Sequence, residues 1–204
     1  MNKKEAQLEE LREIRNLMER SSRFSSLSGI AGVVVGLFAL VSVGLAYWSL
    51  GLSVADAGYY QLIPQFYGLL FANFGAVLAL SLAAGIFFAW RNAKKQALAT
   101  WDSTALRLLT NLLIPLAVGG IFCLILLYHG YTGLAAPATL IFYGLALINA
   151  SKYSINEIRS LGLLQVVAGL LAAFFIDYGL LFWAFGFGLL HVVYGILIYV
   201  KYEK

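Results

Sequence analysis

Few side chains of this 204-residue sequence can do chemistry in apolar surroundings, and His191 is the most informative of them. Gly188 lies three residues before it and Gly195 four residues after it, so the three share one face of a helix. Because an imidazole is costly in hydrocarbon, we expect this face to turn into a helix bundle, where Tyr194 can join it. Two interpretations stay open: a proton-titrating or ligand-contacting residue, or a neutral histidine satisfied by one hydrogen bond to another helix.

Side-chain amides are the other unusual groups within the apolar stretches, at Asn73, Asn111 and Gln165. Each is predicted to hydrogen bond between helices. Asn73 is also predicted to share a ligand site with His191 and Tyr194. Pro115 and Pro137 are predicted to kink their helices and to free backbone carbonyls for other partners.

The sequence lacks the residue combinations that most catalytic mechanisms require. One cysteine and two histidines are too few for a zinc or iron–sulfur site. The sequence has no HExxH motif, no paired carboxylates within an apolar stretch and no phosphate-binding loop. It therefore predicts no enzyme, no metal site and no cofactor. The basic residues are interpreted as anchors at a membrane edge rather than as a nucleic-acid surface.

The elements that position these side chains are apolar helices. The chain is 61% hydrophobic and 12% charged, where soluble domains carry about 25% charged residues, and its mean hydropathy is +0.83. About 20 apolar residues cross the hydrocarbon core of a bilayer. Six stretches qualify, near 27–50, 66–90, 106–128, 132–150, 160–177 and 179–200. We therefore predict an all-α membrane protein with six transmembrane helices arranged as three helical hairpins.

The basic residues predict the orientation. All 14 Lys and Arg residues fall on one side of the six-span arrangement, so both termini are expected on the cytoplasmic side of the membrane. The predicted organisation is a cytoplasmic amphipathic helix over 1–26, a transmembrane domain over 27–200 and a cytoplasmic tail over 201–204. The stripe that includes Leu8, Leu11 and Ile14 would lie on the membrane surface, pack under the bundle or dock a partner.

Small residues recur at four-residue spacing and predict close helix contacts, because lipid supplies no hydrophobic drive for helix association. Packing inside the bundle is favoured over a face for a second copy. A repeat is a further possibility: 67–78 and 178–189 share eight of twelve residues, although chance similarity explains this equally well. The residues predicted to pack are Ser28, Gly32, Gly36, Gly75, Ala79, Ala83, Gly188 and Gly195.

The entry segment 18–29, MERSSRFSSLSG, and the exit segment 188–195, GLLHVVYG, carry a resemblance. Together they resemble a group of bacterial six-span membrane proteins that has no assigned activity. In size and topology the chain is also similar to the substrate-binding subunits of energy-coupling-factor vitamin transporters. The first resemblance implies a multi-pass protein of the bacterial inner membrane. The second implies a multi-pass membrane protein and is an analogy without a ligand signature.

The function predicted from these features is binding or transport of a small molecule through a cavity near His191, Tyr194 and Asn73. The alternative is a membrane adaptor or signalling protein that acts through its N-terminal helix. The partners expected are the lipid bilayer, a small-molecule ligand, and a second copy of the chain or a cytoplasmic protein.

Overall fold

The computed structural model describes residues 28–50, 67–95 and 103–204. Within these ranges the chain is helical and contains no strand, and six helices are long and apolar enough to cross a membrane. This confirms the predicted all-helical class and the predicted number of helices with the length and composition of a membrane span. The predicted amphipathic helix over 1–26 and the connection over 51–66 lie outside the described residues.

Six spans follow one another along the chain. The first five are α1 (Gly29–Leu50), α2 (Tyr67–Lys95), α3 (Ser103–Tyr128), α4 (Ala135–Ala150) and α5 (Asn156–Phe174). Short 3-10 turns precede α4, α5 and the sixth span, at Thr132–Leu134, Ser151–Tyr153 and Ile176–Tyr178. The sixth span, 179–203, is labelled α6. It is α-helical over Gly179–Trp183 and His191–Ile198, and π-helical over Ala184–Leu190 and Tyr199–Glu203.

Helices α1 and α6 touch backbone to backbone through glycines. A Cβ atom added at Gly36 would lie 2.7 Å from the carbonyl oxygen of Gly188. One added at Gly195 would lie 2.6 Å from the backbone nitrogen of Val33 and 2.7 Å from the carbonyl oxygen of Gly29. The first and last spans therefore run antiparallel at a separation that only glycine allows.

Helices α4 and α5 form a second contact of this kind. A Cβ atom at Gly144 would lie 2.6 Å from the carbonyl oxygen of Gly162 and 2.7 Å from a side-chain carbon of Val166. Farther along the pair, one at Gly169 would lie 2.9 Å from the backbone nitrogen of Ile141. Sequence spacing did not single out these glycines.

The remaining helices pack on the outside of these two pairs. Helix α2 lies mainly against α1, and α3 lies mainly against α4. We call α1, α2 and α6 the first helix group, and α3, α4 and α5 the second. The groups meet where α6 contacts α4 and α5 through side chains, including the buried Leu147, Leu161 and Leu190.

The small residues of the predicted stripe on α2 are exposed in the described chain. Nothing lies within 4 Å of a Cβ position at Gly75, and Ala79 and Ala83 are exposed. Helix α2 is instead tied to α1 by its amide, because Asn73 Nδ2 donates to the carbonyl oxygen and to Oγ of Ser42, both at 3.0 Å.

The two prolines have different effects. Pro115 lies inside α3, as predicted. Pro137 lies in the first turn of α4, which begins at Ala135, so the predicted kink there is wrong. The N–H groups of a first helical turn have no partner within the helix, and a proline is tolerated there.

Charged residues join three helices at one end of the bundle. The carboxylate of Glu203 accepts a hydrogen bond from the backbone N–H of Gly29 and another from Ser28 Oγ, at 3.4 Å. Lys201 Nζ pairs with Glu157 Oε1 at 2.5 Å, and Tyr202 donates to the same carboxylate at 3.0 Å. The ends of α1, α5 and α6 therefore meet here.

Substituting Gly36 by Ala should destabilise the protein, because the added methyl meets a backbone carbonyl that cannot move freely. We expect a loss of about 1–3 kcal/mol, seen as a thermal midpoint lowered by roughly 2–10 °C in detergent. Gly44→Ala on the same helix is the matched control, since no atom lies within 4 Å of that Cβ position. Equal midpoints for the two variants would contradict the close contact of α1 with α6.

Candidate functional site

His191 lies in a buried hydrogen-bonded cluster that joins the two helix groups. Its Nε2 atom is 2.8 Å from the hydroxyl of Tyr143 on α4, and its Nδ1 atom is 3.0 Å from the carbonyl oxygen of Gly186 on α6. Gln165 on α5 donates from its Nε2 atom to the same carbonyl oxygen at 2.8 Å. Three spans thus contribute to one polar cluster, formed by Tyr143, Gln165, Gly186 and His191.

The partners of His191 determine which ring nitrogen carries the proton. The carbonyl oxygen of Gly186 can only accept, so Nδ1 must be the donor. Burial in an apolar interior favours the neutral ring, in which Nε2 accepts a hydrogen bond from the hydroxyl of Tyr143. Gln165 Nε2 also lies 3.4 Å from Nδ1, but two donors face each other there and no hydrogen bond results.

The carboxamide oxygen of Gln165 is the cluster atom without a partner. Gln165 is fully buried, at 0% exposure, and its Oε1 atom accepts no hydrogen bond from the described residues. Rotating the amide by 180° would not help, since it would turn this oxygen toward the carbonyl of Gly186. A buried acceptor left unpaired costs about 1–3 kcal/mol, so this oxygen marks the position where a donor is missing.

A π-helical segment brings Gly186 and His191 together. Gly186 and His191 are five positions apart, which is the interval between residues joined by backbone hydrogen bonds in a π-helix. The segment Ala184–Leu190, directly before His191, is π-helical. Gly186 is also needed for the approach of α5, because a Cβ atom there would lie 2.5 Å from Gln165 Oε1 and 2.5 Å from Leu140 Cδ2. Such π-helical segments within α-helices are frequent at functional sites.

Aromatic rings cover one side of the cluster. Phe187 stacks on His191 with ring centroids 5.9 Å apart and contacts Tyr143 at 5.0 Å. Trp183 follows at 4.8 Å from Phe187, and Phe74 of α2 lies 5.0 Å from Trp183. The rings therefore continue from the cluster to the outermost helix of the first group.

The three residues predicted to form a ligand site do not form one group. His191 faces the bundle interior and is 5% exposed. Tyr194 packs instead against the cluster of Leu147, Leu161 and Leu190. Asn73 bonds to Ser42, ten residues from Gly32, whose Cβ position faces the backbone of His191. Asn73 and His191 therefore lie at different depths, about 15 Å apart along the α1 axis.

Tyr143 is the site residue that sequence reasoning missed, while Gln165 was predicted only as an interhelical hydrogen-bonding residue. Tyr143 is an ordinary aromatic residue of an apolar span in the sequence, and nothing in its spacing relates it to a histidine 48 residues away. The one available signal was Gln165, an amide within an apolar stretch that needs a partner.

Among the described residues, no three His, Cys, Asp or Glu side chains come together in a way that could hold a metal ion. Comparison with known proteins found no matching family model, no matching curated protein and no matching solved structure. Any function must therefore be inferred from the residues of the cluster themselves.

Replacing Tyr143 by Phe should leave Nε2 of His191 unpaired in an apolar interior. We expect a loss of about 1–3 kcal/mol and a correspondingly lower thermal midpoint. Tyr194→Phe is the matched control, because its ring packs in the apolar cluster and its midpoint should stay near that of the parent protein.

The protonation of His191 can be measured directly by nitrogen NMR on histidine-labelled protein. We expect a protonated Nδ1 and an unprotonated Nε2, with the exposed His129 assigned through its own substitution. A protonated Nε2 in the parent protein would contradict the hydrogen-bond directions given above.

Proposed function

We propose that this multi-pass membrane protein binds a small molecule inside its helix bundle, at the cluster of Tyr143, Gln165 and His191, and that it carries out no catalysis. The buried, unpaired carboxamide oxygen of Gln165 is the observation that supports this proposal. Native proteins satisfy nearly all buried polar groups, and an exception calls for a partner such as a ligand or a water molecule.

The chemistry of the cluster indicates the kind of ligand. An N–H or O–H group of the ligand would satisfy Gln165 Oε1, and the hydroxyl oxygen of Tyr143 can accept a second hydrogen bond. Among the described residues the hydrogen-bonding partners within the cluster are uncharged, and the apolar Leu140 and Phe187 lie beside it. The ligand expected is therefore neutral, largely apolar and a hydrogen-bond donor.

Access to the cluster requires movement of the helix groups. Gln165 and His191 are enclosed, so a ligand reaches them only when α6 separates from α4 and α5. Within each group one pair of helices is in contact through glycine backbones, α1 with α6 and α4 with α5, whereas the groups meet through side chains. The contact between the groups is therefore the one expected to open, either for binding alone or for transport.

We further propose that the protein lies in a bacterial inner membrane with its basic end toward the cytoplasm. The support is the distribution of charge, since the described Lys and Arg residues lie at the end where Glu203 meets α1. Its N-terminal segment 1–26 would then be available to a cytoplasmic partner, which is the adaptor alternative.

Native mass spectrometry of protein extracted gently from its own membrane tests the proposal. We expect a reproducible small-molecule adduct on the parent protein that is lost in Gln165→Met, which keeps the side-chain size and removes both amide groups. Tyr194→Phe should retain the adduct. His191→Leu should also lose it, and it provides a second variant if Gln165→Met fails to fold.

The possible contrary results are distinct. An adduct retained by folded Gln165→Met and His191→Leu would exclude this site, although the protein would remain a binder. Absence of an adduct from the parent, together with a co-purified protein that is lost when residues 1–20 are deleted, would support the adaptor instead. A binder should keep its adduct after that deletion.

A further inference from the structure

Pro115 creates an unusual hydrogen bond between α3 and α4. A proline inside a helix has no N–H to donate to the carbonyl four residues earlier, which here belongs to Asn111. That free carbonyl oxygen accepts a hydrogen bond from Asn149 Nδ2 of α4 at 2.9 Å. The proline thus provides the acceptor that ties the two helices together near their basic end.

The same bond is the centre of a polar ladder that runs from the backbone carbonyl of Arg107 to the ammonium group of Lys152. Asn111 Nδ2 donates to the carbonyl oxygen of Arg107 at 2.8 Å, one turn closer to the start of α3. On the other side, Lys152 Nζ donates to Asn149 Oδ1 at 3.4 Å. Arg107 and Lys152 therefore lie about one turn beyond the Asn111–Asn149 bond, at similar depth on adjacent elements.

The two cations have no acidic residue on their own elements. No Asp or Glu occurs in 103–156. Asp102, directly before α3, lies outside the described residues, and Glu157, the next acidic residue after this range, is paired with Lys201 and Tyr202. Both cationic side chains are exposed. Lys152 Nζ is bonded to Asn149, which in turn bonds to the carbonyl of Asn111, one turn from Arg107, so the two positive charges lie on neighbouring elements at similar depth.

Apolar side chains continue from the ladder toward the bilayer centre. Ile114 shares the face of Arg107, seven residues later, and is 61% exposed. Leu145 lies four residues before Asn149 and is 43% exposed. The antiparallel register that pairs Asn111 with Asn149 places these two at matching depth. An acyl chain can lie along them while an anionic group lies at the cations.

We propose that Arg107 and Lys152, which lie at the two ends of this ladder, bind the phosphate of an anionic phospholipid whose acyl chain lies over Ile114 and Leu145. The phosphate chemistry alone would also suit a free phosphate ion. The exposed apolar residues directly beside the cations favour the lipid. This site lies on α3 and α4, away from the Gln165 oxygen, so it does not depend on the small-molecule proposal.

A lipid titration of the purified full-length protein in detergent tests this site, with bound lipid counted by native mass spectrometry. The probe is phosphatidylglycerol, and phosphatidylcholine is the zwitterionic comparison. We expect the double variant R107Q/K152Q to bind phosphatidylglycerol about 25-fold more weakly, about fivefold for each charge removed. The control R159Q removes a basic residue at the same end of the bundle, outside the ladder, and should bind nearly as the parent does.

Two further measurements separate the ladder from general surface charge. Asn149→Ala keeps both cations but releases Lys152, and it should weaken phosphatidylglycerol binding severalfold. Inorganic phosphate at millimolar concentration should not displace the lipid. The proposal is overturned if R107Q/K152Q and R159Q lose equal affinity, if folded Asn149→Ala binds as the parent does, or if free phosphate displaces the lipid. Should Asn149→Ala fail to fold, the comparison of R107Q/K152Q with R159Q decides alone.

Discussion

Lipid provides no hydrophobic driving force for the association of apolar helices, so the packing of this bundle depends on the positions where two helix backbones come into contact. Glycines provide two such places, one between α1 and α6 and one between α4 and α5. Each contact gains dispersion energy over many atoms at short range, and a single methyl group removes it. The arrangement of the other helices follows, because α2 and α3 pack on the outside of these pairs. The junction between the pairs is the one left to side chains.

Polar groups are concentrated at that junction and at the basic end of the bundle, and two of the bonds between helices are tied to a departure from regular α-helix. The π-helical segment of α6 presents the carbonyl of Gly186 to Gln165 and His191. Pro115 frees the carbonyl of Asn111, which accepts from Asn149. A carbonyl of a regular helix can also accept a second hydrogen bond, as that of Ser42 does from Asn73.

The helical class and the number of spans could be predicted from the sequence, whereas the contacts between helices could not, for a physical reason. Span number and helical class follow from hydropathy, because only helices and closed barrels satisfy a backbone in lipid. The interior face of His191 followed from its flanking glycines. Partners on other helices did not follow, since Tyr143 contacts His191 only through the packing of α4 against α6. Small residues at the same spacing also had different surroundings: Gly32 and Gly36 contact α6, whereas no atom lies near the Cβ position of Gly75. Spacing shows which residues share a face of one helix, but it does not show whether a second helix packs against that face.

The carboxylate of Glu203 meets the first residues of α1 although 174 positions separate Gly29 from Glu203 in the chain. A ribosome delivers α1 to the membrane long before it synthesises this residue. Until then α1 has neither its cap nor the glycine face of α6, and it must wait among lipids or in the insertion machinery with a small-residue surface uncovered. Assembly of the first helix group is therefore completed only after α6 has been synthesised, whereas α3, α4 and α5 can associate as they emerge. The order of synthesis thus leaves α1 without its main partner until the other five spans have been made.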